Sequence, residues 1–393
     1  MRRNSTRLAA ALAWPFLCAT ASAQSTLQIY GAVDAGLRHE TNAADYGPDG
    51  TPQGTGVRTG FARGGGGLTQ SYWGIKGTED LGGGSQALMA LESRFDLAKG
   101  QIERNSPFFE LSYVGLQLPN LGQFTLGRQY NVALEAASMV WGSNLWVDYF
   151  NAFKPEHTML AVGRANNMLH YGAQLGDVVA LAQYTFGEAE GSMRRGAQYG
   201  GAIAYVPEKG PLKLSGSWLR STDDSTGGKF DAYNAGAQVS LGEKTSLQAG
   251  YLVNKRDNNF QSFRNAGVGP IELAALAIIS PAQVLYPDMP GGIKRRQMVM
   301  GGVTYKATPL LTFAANFWLT RQSGYTQDFD GSASQFQLVA GYALSKRTLL
   351  YLELDRSIYR DGMVGTQLTG LSEQSPTLER SQTGTTVGIR HIF

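Results

Sequence analysis

Cysteine is almost missing from this chain: one residue of 393, Cys18, carries a thiol. That excludes an internal disulfide framework. Cys18 follows Leu17 rather than a small residue, which argues against a lipidated N-terminus. Charge is scarce too, at 17%, where a soluble domain carries about a quarter. The formal surplus of +3 comes from Arg2, Arg3 and Arg7, which stand in the first 23 residues without an acid. Without them, 31 basic side chains (34 less 3) face 31 acidic ones, a balance that argues against a nucleic-acid partner. The four histidines, His39, His157, His170 and His391, have no metal-ligand spacing, and neither a metal site nor a cofactor is expected. No G-x-S-x-G elbow occurs. The glycine clusters at 64–67 and 82–84 lack a following Gly-Lys-Ser/Thr and read as loop or turn rather than a phosphate cradle. Beyond residue 19 no apolar run reaches the ~20 residues of a transmembrane helix.

The first 23 residues predict a secretory signal. Their basic start leads into an apolar run at 8–19 and then Ala21-Ser22-Ala23, a small-x-small cleavage pattern. The run is too short for an anchor helix, and Pro15 interrupts it. The expected domains are therefore a signal peptide, 1–23, and one body, 24–393.

Glycine, with 50 residues, and aromatics, at 10%, are what the chain has in plenty. Its dominant pattern has a period of two. In 26–41, Leu27, Ile29, Val33 and Leu37 share one parity, while Gln28, Tyr30, Asp34, Arg38 and Glu40 share the other. In 310–320, Leu311, Phe313, Ala315, Phe317 and Leu319 alternate with Thr312, Asn316 and Thr320. About sixteen such segments occur, each near the ~10 residues that cross a bilayer when tilted. Tight connections (80–84, 119–122, 176–177, 207–211, 242–244, 307–309, 345–347) alternate strictly with long ones (41–71, 98–107, 131–166, 187–197, 221–229, 257–292, 323–333, 360–382). Short turns at one rim and long loops at the other are the mark of an antiparallel transmembrane β-barrel. The polar parity holds Asp34, Arg38, Glu92, Arg94, Lys213, Lys294 and Arg296, too many charges for a dry interior. Sixteen strands also enclose more space than side chains fill. Water therefore belongs inside and lipid outside.

Several stretches then resemble one family. LQIYGAVDAGL, WGIKGTEDLGGG, SYVGLQLPNLGQFTLGRQY, RANNMLHY and the final VGIRHIF, in that order, are similar to the trimeric general porins of Gram-negative outer membranes, in their β-proteobacterial branch. The resemblance spans residues 27 to 393. It implies an all-β fold, a 16-stranded antiparallel barrel with an inward-folded third loop, assembled as a homotrimer in outer-membrane lipid. The implied function is passive diffusion of ions and small hydrophilic solutes, without catalysis. The terminal Phe393 resembles the signal read by barrel-assembly machinery.

The same resemblance makes 131–166 the constriction loop. Asp148 and Glu156 would face the lumen, with Trp141, Trp146, Tyr149, Phe150 and Phe153 behind them or simply packing the loop on the wall. Arg128 and Arg164 match the family's arginine wall, with Arg38, Asp34, Glu92 and Glu110 also on or near the pore. Arg128 shares the parity of Phe124 and Leu126, which would aim it at lipid at a cost of about 2–4 kcal/mol near mid-bilayer; a bulge at Gly127 is predicted to turn it inward. Where the family has arginine, this chain has Tyr72 and Glu110, so the cationic wall is thinner. Opposed charges across a narrow wet pore set a transverse field on passing solutes. The main alternative is a substrate-specific porin, in which the loop aromatics guide sugars or aromatic acids. An outer-membrane hydrolase would need a nucleophile beside His39 or His157, and neither has an evident partner. The apolar 271–279 stretch is expected to form a short helix in its loop.

Overall fold

Alternating side chains can satisfy hydrocarbon on one face and water on the other only if every backbone group is paired, and a closed antiparallel sheet does this. The structure, a computed structural model, describes residues 25–46, 52–62, 66–102, 107–142, 159–161, 163–187, 190–260, 292–363 and 379–393. Residues 1–23, expected to be a signal peptide, and the 271–279 stretch lie outside the described residues. The strands are β1 (Thr26–Tyr46), β2 (Pro52–Phe61), β3 (Ser71–Gly82), β4 (Ser85–Asp96), β5 (Gln101–Ile102), β6 (Leu111–Leu118), β7 (Gly122–Tyr130), β8 (Arg164–Leu175) and β9 (Val178–Thr185). After these come β10 (Gln198–Tyr205), β11 (Leu212–Thr222), β12 (Lys229–Leu241), β13 (Thr245–Arg256), β14 (Ile293–Lys306), β15 (Leu311–Gly324), β16 (Gly331–Ala343), β17 (Thr348–Asp361) and β18 (Ser381–Ile392). Each pairs antiparallel with its neighbours, and β1 closes the ring on β18 in a register running from Ala32↔Ile392 to Glu40↔Gly384. β2 folds back on the upper half of β1, and β5 caps the end of β4. Both belong to connections, so sixteen of the eighteen strands form the wall.

The wall obeys the expected parity. Leu27 is 71% exposed and Val387 57%, whereas Asp34, Gln337 and Glu353 on the other face are fully buried. Tyr205, Tyr305 and Tyr342 are exposed within two residues of a tight turn, the placement of an interfacial aromatic girdle. No helix among the described residues is long and apolar enough to cross a membrane.

Three elements differ from the sequence reading. β2 and β5 occupy connections expected to be irregular. Helix α1 (Val132–Val140) occupies the start of the third loop. Asn131 caps it, its Oδ1 accepting from the Leu134 N–H at 2.8 Å, and Glu135 lies in the first turn, where the helix dipole favours an acid.

The inner wall is also less uniformly polar than the alternation implies. Leu219, Leu252, Met298 and Trp318 point inward and bury Val132, Ala133, Val140 and Trp141 of the inserted segment. α1 therefore lies inside the barrel against β10–β12. The ring of Trp141 rests on Gly236 and Gly250, which face each other across β12 and β13. A Cβ at either position would overlap the indole, so glycine is required there by close approach. This contact fixes where the loop attaches. Gly250→Val is expected to destabilise the barrel by about 1–3 kcal/mol through overpacking, measured by urea unfolding in detergent micelles. The same change added to Trp141→Ala should cost far less; strictly additive effects would reject the contact.

Candidate functional site: the arginine cluster beside the inserted loop

The β7–β8 ladder slips between Gly127 and Gln129, and Gly127 has φ +135°. The bulge expected from the parity conflict is thus present, and it turns Arg128 from the lipid face towards the interior. There Arg128 Nη2 donates to Glu110 Oε2 at 2.9 Å and Nη1 to Asn166 Oδ1 at 2.7 Å. Arg164, at the start of β8, brings its Nε to 3.4 Å from the same Glu110 oxygen. Its Nη2 donates to Tyr130 Oη at 2.9 Å, and its guanidinium lies 4.4 Å from the Tyr130 ring centre. Arg94 joins from β4: its Nε is 3.9 Å from Glu92 Oε1, its Nη2 donates to Tyr130 Oη at 3.5 Å, and its Nη1 donates to Gln70. Glu92 also accepts from Tyr30 Oη at 3.2 Å.

Three guanidiniums thus surround two carboxylates where β7 passes through Tyr130 and Asn131 into α1. Of the residues expected at the pore, this brings together Arg128, Arg164, Glu92 and Glu110. Arg94, read only as a polar-parity charge, and Tyr130, not singled out, are members that sequence reasoning did not place at the pore. Arg94 shares Glu92's parity, which was the available signal. Beside the cluster, His170 Nε2 lies 3.0 Å from Glu135 Oε2 on α1.

Asp34 and Arg38 lie in a second network. Asp34 accepts from the Gly67 N–H at 3.1 Å, the Thr69 N–H at 2.9 Å and Tyr351 Oη at 2.5 Å. It pins the return of the first loop inside the barrel, where Leu68 is wholly buried. Arg38 has Nε 2.9 Å from Glu40, and Nη1 3.2 Å from Glu353 and 2.7 Å from Asp355. With Asp34 fully buried and Arg38 2% exposed, both tie wall and loop together. Gln70, bonded to Arg94, links the two networks. Asp148 and Glu156, with Trp146, Tyr149, Phe150 and Phe153, lie outside the described residues.

A closed sixteen-stranded transmembrane barrel with a loop folded inward and charges on its inner wall defines an outer-membrane channel. Residues 8–362 match the family model of the Gram-negative porins, and the chain belongs to that family. Outer membrane porin protein 32 of Delftia acidovorans is 26% identical over 383 residues, 95% of each chain. An outer membrane porin of Bordetella pertussis is 35% identical over 139 residues, 33% of this chain and 34% of its own. Among solved structures, an anion-selective porin from Comamonas acidovorans superposes with a TM-score of 0.70 at 24% identity, covering 94% of this chain and all of its own. OmpT of Vibrio cholerae gives 0.62 at 12%, covering 94% and 98%. The chain is a porin of the Gram-negative outer membrane, a water-filled passage for ions and small hydrophilic solutes.

Glu110 is the shared counter-charge of the cluster. Glu110→Gln leaves Arg128 and Arg164 without their common acid, and removing one partner of a buried ion pair costs about 3–5 kcal/mol. A lowered urea midpoint in micelles is expected, together with a reversal potential displaced towards anions in planar bilayers. A midpoint and potential equal to those of the unmodified protein would reject Glu110 as the keystone.

Proposed function

We propose that solutes pass a constriction formed by Arg94, Arg128 and Arg164 with Glu92 and Glu110, and that it gives the channel a modest preference for anions. One observation carries the reading: three guanidiniums are held over two carboxylates beside the entry of α1. Arginine suits this work because it stays charged at any working pH. Among these five side chains the excess is a single positive charge, which supports a modest rather than a strong selectivity. Asp148 and Glu156, further along the same loop, are assigned the opposing negative side, so a transverse field acts on passing dipoles. Asp34 and Arg38 contribute by fixing the first loop and the wall.

The Comamonas porin is anion-selective, which supports the same sign for this chain. A trimer is the assembly proposed here, supported by the family and by a trimer form of Vibrio cholerae OmpT. Transport without bond making or breaking is likewise proposed, and residues 1–23 are proposed to be removed on export. The passage is proposed to be general; saturable block by sugars or aromatic acids would favour a substrate-specific porin instead.

The test is the reversal potential across a KCl gradient in planar bilayers. The unmodified protein should read weakly anionic. Arg128→Ser combined with Arg164→Ser should move the potential towards cations and raise the conductance step. An unchanged potential would reject the constriction.

A further inference from the structure

Away from that cluster, the inner wall carries two neighbouring arginines on β13 and β14. On β13, Gln248, Leu252, Asn254 and Arg256 share the interior parity, while Lys255 faces out, its Nζ 5.9 Å over the Tyr233 ring. On β14, Arg296 sits opposite Asn254 in the ladder, which makes it the diagonal neighbour of Arg256, about 7–8 Å away between backbones. Both lie at the long-loop end of the barrel, one step beyond the point where Asn254 Nδ2 reaches Met159 Sδ of the third loop at 3.7 Å. Arg256 is 6% exposed and Arg296 3%.

Arg296 is held in place: its Nε donates to Gln322 Oε1 at 3.1 Å, and Gln322 Nε2 donates to the Phe329 carbonyl at 2.9 Å. Arg256 differs. Its Nε, Nη1 and Nη2 are all buried, and none meets an acceptor among the described residues. The acids of the adjoining loops instead accept from backbone groups. Asp257 accepts from the Lys229 N–H at 3.0 Å, and Asp330 from the Gly324 N–H at 2.8 Å. A guanidinium does not lose its proton in a protein, and an isolated buried charge is severely unfavourable. The contrast with Arg38, which has three carboxylates within 3.2 Å, is direct. Among the described residues, three buried donors of Arg256 are thus without an acceptor, with a second, anchored guanidinium beside them.

We propose that Arg256, assisted by Arg296, binds the oxyanion group, carboxylate or phosphate, of a solute entering through the long-loop mouth. The guanidinium fork matches both groups in a bidentate arrangement. Because the side chains face the interior, the ligand is a solute inside the barrel rather than a surrounding lipid. The inference rests on the channel reading for access alone. It adds a resting place upstream of the constriction, one that raises the local concentration of anionic solutes without narrowing the passage.

The experiment titrates inorganic phosphate, and separately acetate, into KCl at constant ionic strength, with the porin in a phosphatidylcholine planar bilayer. Each oxyanion should lower the chloride current saturably. Arg256→Gln and Arg296→Gln should each raise the half-blocking concentration by about tenfold or more, the loss of charge-assisted hydrogen bonds. Lys255→Gln, on the lipid side, should leave it where it was. An unchanged half-blocking concentration in both arginine variants overturns the site. So does a linear, unsaturable response of the unmodified protein, which is also the outcome if lipid headgroups already supply the anion. Should a variant fail to fold, the unmodified protein decides alone: its melting temperature in micelles must rise with phosphate beyond matched chloride, and no rise overturns the site. Chloride steps before any phosphate is added report the channel separately, so the two readings fail independently.

Discussion

Hydrocarbon tolerates no unpaired backbone group, and this constraint decides the architecture before any side chain is considered. A chain with apolar residues only at every second position cannot cross as a helix. It can cross as strands, provided the first and last of them meet. The β1–β18 ladder is where that condition is met, and the main chain of Phe393 completes it through reciprocal bonds with Gly31 at 3.0 and 3.1 Å. Side-chain parity then has one consistent meaning around the ring: leucine and phenylalanine outward, ionisable groups inward.

Enclosing charge creates the second problem, and the barrel answers it in three ways. Asp34 and the Arg38 network turn buried charge into structure, tying the first loop to β17 and β18. Arg94, Arg128 and Arg164 gather around Glu92 and Glu110 where α1 enters. Arg256, beside Arg296, meets no acceptor among the described residues. Charge inside the wall thus varies from place to place in a way that the neutral total of residues 24–393 conceals. Opposite the charged face, the apolar inner surface of β10–β15 receives α1 and Trp141, so packing holds the start of the loop.

Much of this was legible in the sequence, and the reasons are physical. Strand number and rim assignment follow from period-two alternation and from connections that alternate between short and long. The bulge at Gly127 was legible because Arg128 stood on the lipid parity, a conflict with a single inexpensive remedy. The Gly236–Gly250 seat of Trp141 was not, because it depends on a cross-strand register that local pattern does not encode. β2 escaped notice since its glycines and proline read as loop, although Val57, Thr59 and Phe61 do alternate. The apolar inner patch left a signal that parity averaging hid: Trp318 stands in phase with Asn316 and Thr320, and Leu252 in phase with Gln248 and Asn254. Arg94 was in phase with Glu92 all along, but its share in the cluster depends on Tyr130 and Gln70, which only the folded barrel brings near.

Accessibility along one strand tests the inside-out barrel most directly. Nitroxide labels attached to single cysteines introduced in turn at residues 312 to 320 of β15, in lipid bilayers, should report oxygen contact that peaks at 313, 315, 317 and 319, with a polar relaxation agent excluded from those positions. Loss of the two-residue oscillation, or the same oscillation in opposite phase, would contradict a wall with lipid on its leucine face and water within.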